Sequence, residues 1–199
     1  MKPSDILNWP ASYMFFQWIV GGLRARGQYL QDFAQIQPGL RVLDIGCGPG
    51  YIATKFSGCH YVGFDVEQSH ITYAQSRFGQ FGRFYRGLLS EEFLNVEAPF
   101  DLVMMNGVLH HLNDEDLKRV LHLARLALKP GGRLITMDGY YAENLPWIAR
   151  MMLRGDRGRY VRRADGYVQP AQKAFPNVTV HFRENYFYLP YPIIVLVCS

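Results

Sequence analysis

Arg41-Val-Leu-Asp-Ile-Gly-Cys-Gly-Pro-Gly50 is the stretch whose reading decides the fold. Its first five residues read as a short apolar strand. Three glycines in the next five positions end that strand in a tight turn, whose bare backbone lets a ligand come close. Outward from this point strand and helix signals alternate: a helix over 51–57, a strand over 61–65, a helix over 67–78, a brief strand over 83–86 and a strand over 100–105. The clearest helix follows, with Leu117, Val120, Leu121, Ala124, Ala127 and Leu128 at helical spacing, Asn113 as cap and acids at 114–116 on its positive end. Lys129-Pro-Gly-Gly132 stops it, and 133–138 returns as a strand, so the sheet is parallel with helices on both faces.

The ends depart from this alternation. Residues 4–36 read as largely helical, while 178–188 and 193–198 are β-rich and joined too tightly for a parallel crossover. The expected fold is a Rossmann-like, doubly wound α/β domain: a mostly parallel seven-stranded sheet with one antiparallel strand near the C-terminus. Within this single domain the sequence divides into a helical N-terminal lid (1–36), a cofactor-binding core (37–138), a helical insertion on the substrate side (139–176) and the terminal antiparallel strands (177–199).

Composition narrows the function. Among the 199 residues, 49% are apolar and 19% charged, which excludes disordered and collagen-like chains. Cys47, Cys59 and Cys198 have neither disulfide-scaffold nor metal-ligand spacing, so no metal is expected and a reducing compartment fits. The apolar run 14–20 is interrupted by Gln17, too short to span a bilayer and without signal-peptide layout; a cytoplasmic protein is expected. The net charge of +4 is local: six arginines between Arg150 and Arg163 against Asp156 alone give +5, leaving −1 for the remainder. Such a cluster suits an anionic group on a small substrate better than general nucleic-acid binding. Membrane attachment is disfavoured because no amphipathic stripe accompanies the charge.

The glycine turn has an acidic partner. Asp65, at the end of the second strand, can take both hydroxyls of a ribose. A dinucleotide fingerprint needs Gly or Ala where Tyr51 stands, Pro49 deletes a loop N–H, and no Gly-Lys-Ser/Thr follows. The turn therefore suits a nucleoside without phosphates.

Taken together, Val42-Leu-Asp-Ile-Gly-Cys-Gly-Pro-Gly50, Asp65, Phe100-Asp-Leu-Val-Met-Met-Asn-Gly-Val-Leu-His-His-Leu112 and Leu128-Lys-Pro-Gly-Gly-Arg-Leu134 resemble, in order, the motifs of class I S-adenosylmethionine-dependent methyltransferases. The resemblance implies S-adenosylmethionine as cofactor and S-adenosylhomocysteine as product. It places Asp44, Gly46, Cys47 and Gly48 around the methionine part, Asp65 on the ribose, Val66 beside the adenine, and the Asn106 carbonyl on the amino group. Many members carry an acid after the third strand for the adenine amine; here Arg86-Gly87 leads into Leu88-Leu89, and Leu88 would pack on the purine instead.

For the chemistry, His110 and His111 after the fourth strand are candidates for the base that a hydroxyl acceptor needs, or for braces of their turn. Asp138 would orient such a histidine, bind the acceptor, or cap a helix starting near Ala142. Trp9, Tyr13, Phe16, Trp18, Tyr140, Tyr141 and Trp147 would wall the acceptor pocket or pack as core, and the arginine cluster, Arg154 among it, would meet an anionic group. Motifs of nucleobase amino-methylating enzymes and of protein arginine methyltransferases are absent after the fourth strand, and no metal-holding acid cluster assembles. The expected function is methyl transfer to a small molecule, at oxygen. A non-catalytic cofactor-binding subunit of the same fold and a nicotinamide oxidoreductase, the latter disfavoured by Tyr51, are the alternatives.

Overall fold

The structure is a computed structural model that describes residues 18–155 and 158–199. Helix α1 (Gly22–Phe33) precedes β1 (Arg41–Ile45); then follow β2 (His60–Asp65), α2 (Gln68–Phe78), β3 (Gly82–Arg86), α3 (Glu91–Glu97), β4 (Phe100–Asn106), α4 (Asp114–Ala127), β5 (Leu128–Gly139), α5 (Trp147–Gly155), α6 (Ala164–Ala174), β6 (Val178–Arg183) and β7 (Ile193–Cys198). Among the described residues seven strands form one sheet in the order β3-β2-β1-β4-β5-β7-β6. β7 runs antiparallel to both β5 and β6, and every other pairing is parallel. This is the doubly wound sheet with one reversed strand that the sequence implies.

Two apolar layers hold it. Leu43, Ile45, Val103 and Met105 face a core shared with α4 and α6, while Val42, Leu102 and Met104 face one shared with α1, α2 and the loop before β7. Strict alternation along β1 and β4 feeds both layers, which is why these strands read as unbroken apolar runs. α4 buries Leu117, Leu121, Leu123, Ala124 and Ala127, and Asn113 caps it by accepting from the backbone N–H of Glu115 and Asp116 at 3.0 and 2.9 Å.

Four details differ from the sequence reading. Residues 51–56 form a 3₁₀ turn rather than an α-helix, because they are confined between left-handed Gly50 and Gly58. Strand β5 begins at Leu128, directly at the helix end, with residues 129–132 bulged out of register around left-handed Gly131. β6 stops at Arg183, since the following loop turns inward: the Tyr186 hydroxyl donates to Asp32 at 2.5 Å, and the Tyr188 N–H donates to the Val20 carbonyl. Finally, the helix after β5 starts at Trp147, too far along for Asp138 to cap it.

Gly50 (φ +78°) does the work that a third glycine does in dinucleotide folds, which the sequence reading had assigned to position 51. A Cβ there would lie 2.7 Å from the Ala74 Cβ and 2.8 Å from the Phe84 ring, so this glycine lets α2 and β3 close on the turn. At Gly131 (φ +77°) an added Cβ meets nothing within 4 Å. Gly131→Ala should therefore cost only the left-handed backbone penalty, about 1 kcal/mol, and Gly50→Ala that plus overpacking, about 2–4 kcal/mol. Urea unfolding of the two variants checks the difference.

Candidate active site

In an open parallel sheet, ligands bind beyond the carboxyl ends of the strands where the strand order reverses. Here that point lies between β1 and β4. The turn after β1 and the turn after β4 touch: a Cβ on Gly46 would overlap Val108.

The glycine turn is saturated with its own hydrogen bonds. Gly46 and Cys47 N–H both donate to the Phe64 carbonyl (2.7 and 2.8 Å), and Gly48 N–H donates to Asp65 Oδ2 (2.8 Å). A phosphate-binding turn aims such donors at its ligand; this one aims three of them at β2. Gly48 still leaves the space beside its Cα open, since an added Cβ would meet nothing within 4 Å. The Cys47 side chain is buried against Gly63, away from that space, and burial pushes its thiol well up.

Asp65 is held by three groups: Gly48 N–H on Oδ2, Glu67 N–H on Oδ1 at 2.9 Å, and His70 Nδ1 at 3.5 Å from Oδ1. Burial alone would raise this carboxyl, but His70 and the two N–H donors bring it below its ordinary value. Ionised, it keeps lone pairs for further donors. Val66 and Leu88 stand exposed beyond β2 and β3.

Behind the turn lies a group of buried polar atoms on the α1 face of the sheet. Asp44, 1% exposed, accepts from the Tyr61 hydroxyl at 2.5 Å through Oδ2. Asp44 Oδ1, the Tyr29 hydroxyl and both amide atoms of Asn106 are buried without a hydrogen-bond partner among the described residues. Four such orphans in one place mark a cradle for a polar ligand. Burial pushes Asp44 up to about 6, against the lowering effects of Tyr61 and of Arg26 from α1. A buried acid and a cation at the end of β1 complement an amino-acid zwitterion. Tyr29, Tyr61 and Arg26 escaped the sequence reading, because nothing in the spacing of α1 or β2 announces that they converge on Asp44.

On the other face, the His110 ring Nδ1 lies 2.8 Å from Asp138 Oδ1, and the His110 N–H donates to the same oxygen at 3.2 Å. Both residues are buried, and the exposed His111 ring packs 4.3 Å away, centroid to centroid. Since a carboxylate only accepts, Nδ1 carries the proton and Nε2 is the basic nitrogen.

Arg162 fixes this turn. It donates to the Leu109, Leu112 and Tyr160 carbonyls (3.0, 2.7 and 2.9 Å), pairs with Asp114 at 2.8 Å, and lies over the Tyr160 and Tyr167 rings. Tyr160 N–H donates to the His110 carbonyl, and a Cβ on Gly158 would overlap the His110 ring at Cδ2. One of the six clustered arginines is thus spent on structure. Tyr140 is buried in the core against Phe182, and Tyr141 N–H donates to the Arg162 carbonyl. Tyr13, with Trp9 and Phe16, lies outside the described residues, as does the Arg154 side chain. Among the described residues no group of three or more His, Cys, Asp or Glu is placed to hold a metal.

Residues 42–132, which contain both turns, match a family model described as a methyltransferase domain. Over this stretch, just under half of its length, the chain is similar to methyltransferases, and its fold is that of S-adenosylmethionine-dependent methyltransferases. Ubiquinone biosynthesis O-methyltransferase of Maricaulis maris is 36% identical to this chain over 102 residues, 49% of the chain and 39% of the relative. The chain thus spans about two fifths of the length of that relative. A TehB-like S-adenosylmethionine-dependent methyltransferase from Corynebacterium glutamicum shares the fold at TM-score 0.62 and 23% identity, over 91% of this chain and 88% of that one. Phosphoethanolamine N-methyltransferase 2 of Haemonchus contortus does so at TM-score 0.72 and 16% identity, over 96% and 57%. The cradle has the chemistry that S-adenosylmethionine calls for: an ionised carboxylate at Asp65, an open Cα at Gly48, and buried unpartnered polar atoms on Asp44 and Asn106.

Two measurements test this site. Asp44 is raised from 3.8 to about 6, so its protonated form favours the folded state. That stability is complete below pH 4 and is lost as pH rises to about 6. Relative to Asp44→Asn, the wild type should lose a few kcal/mol of unfolding free energy between pH 4 and 6.5, read from urea midpoints. Separately, Arg162→Ala strips partners from the Leu109 and Leu112 carbonyls and should cost about 2–4 kcal/mol, with Arg162→Lys recovering part of it.

Proposed function

We propose that this chain transfers a methyl group to a hydroxyl of a small-molecule acceptor by in-line displacement, with His110 as general base and Asp138 as the residue that orients it. The observation that carries the reading is the buried contact of 2.8 Å between His110 Nδ1 and Asp138 Oδ1 at the carboxyl ends of β4 and β5. A carboxylate on Nδ1 holds the imidazole in one tautomer and steadies the imidazolium that forms when Nε2 takes the hydroxyl proton. The O-methyltransferase name of the Maricaulis relative supports oxygen as the acceptor atom.

When bound, S-adenosylmethionine supplies a methyl group already activated by its sulfonium. In this reading Asp65 takes the ribose hydroxyls, Val66 and Leu88 offer apolar surface to the purine, Asp44 and the Asn106 carbonyl hold the amino group, and Arg26 takes the carboxylate. Because the N–H groups of Gly46, Cys47 and Gly48 are bonded internally, the turn favours this phosphate-free ligand over a dinucleotide. Gly158 covers the His110 ring at Cδ2, next to Nε2, so the backbone of residues 158–163 is the segment that yields to admit an acceptor and then shuts water out. Tyr141, Tyr13 and the cluster containing Arg154 remain the proposed acceptor contacts, an anionic substituent meeting the arginines. The three cysteines, all free, support a cytoplasmic setting.

The test combines calorimetry with label transfer. S-adenosylhomocysteine should bind wild type, His110→Ala and Asp138→Asn within about twofold of one another, and Asp65→Ala more than about tenfold more weakly. Methyl label offered with a panel of phenols, 3,4-dihydroxybenzoate included, should appear on oxygen and fall by roughly 10²–10⁴-fold in His110→Ala. Transfer only to amines, or an unchanged rate in His110→Ala, would overturn the oxygen reading; tight binding with no transfer to any acceptor would make the chain a binding subunit.

A further inference from the structure

Helix α5 is amphipathic. Ala149 and Leu153, both 1% exposed, pack inward. Trp147 and Met151 are 72% and 59% exposed. At about 100° per residue they project roughly opposite the buried pair, one turn apart on the outer face. Arg150 is exposed on the flank, and Arg159 and Arg163 are exposed just beyond the helix. Residues 150–163 hold six arginines and a single acid.

We infer that the outer face of α5 docks this protein on an anionic phospholipid bilayer. Three features choose that occupant. Apart from Arg162, which holds the turn after β4, residues 150–163 carry five arginines against Asp156, with Glu143 and Asp165 at the edges; this positive excess suits the diffuse negative potential of acidic headgroups. A tryptophan at the border of an arginine-rich helix suits the level where acyl chains meet headgroups. The two exposed apolar side chains among the described ones of this nine-residue helix are far less than a stable protein interface, which needs about 800 Å² on each partner, but they are enough to seat a helix already held by charge. Among the described residues no helix is long and apolar enough to cross a membrane, so the contact lies at the surface.

Sedimentation of the full chain with extruded vesicles tests the docking. It should pellet with vesicles of 30% phosphatidylglycerol in phosphatidylcholine and stay in solution with phosphatidylcholine alone. Binding should weaken by at least tenfold between about 50 and 500 mM salt. Trp147→Gln with Met151→Gln should weaken partition by about tenfold or more, and each of Arg150→Gln and Arg159→Gln by roughly fivefold. All these positions are exposed, so the variants should melt with the wild type, and any that does not is replaced by the corresponding alanine. Equal binding to both vesicle types, no binding to either, or undiminished binding by the Trp147/Met151 variant would overturn the inference. So would analytical ultracentrifugation showing a dimer that the same double variant dissolves.

Discussion

The hydrogen bond from the Gly48 N–H to the Asp65 carboxylate is the constraint on which the site depends. It ties the turn after β1 to the end of β2, and with the paired donors from Gly46 and Cys47 it spends the turn's N–H groups inside the protein. What reaches the crevice is then a bare Cα at Gly48, an ionised carboxylate with spare lone pairs, and a backbone with little attraction for anions. The same polypeptide geometry with those donors turned outward would be a phosphate cradle. The choice between a dinucleotide and an adenosyl sulfonium is made by where three amide protons point.

The strand period divides the labour around that crevice. Asn106 pairs with Met137 and faces α1, alongside Asp44, Tyr61 and Tyr29. Asp138 is one residue past Met137 and faces the other way, toward His110. A one-residue step along β5 thus separates the Asp44 and Asn106 side of the crevice from the His110 and Asp138 side. Arg162 holds the second group in place from outside the sheet, so the insertion between β5 and β6 is mechanically part of the site.

Much of this was legible because it is written in local patterns. Apolar runs, glycines at fixed offsets and the Asn113 cap gave the strand–helix order, and the tight link before β7 forced its reversed direction. The glycine turn, Asp65 and the His-His turn could be found because each follows a strand end. What stayed hidden depends on contacts between distant segments. Tyr29 and Arg26 become neighbours of Asp44 only when α1 packs on β1, and Gly158 meets His110 only across the insertion. The arginine cluster read as one patch, yet Arg162 is half-buried in a web of carbonyls while Arg150 faces solvent; charge counting is blind to that division. The place of Tyr140 was hidden for the same reason, since its ring packs on Phe182 from a strand 42 positions later.

The position of β7 has a consequence for how the chain is made. Although last in sequence among the strands, it lies between β5 and β6, both synthesised before it. Until residues 193–198 leave the ribosome, β5 shows an unpaired edge and β6 has no sheet to join. Translation therefore passes through a half-built surface with exposed main-chain donors, the kind of intermediate that chaperones recognise.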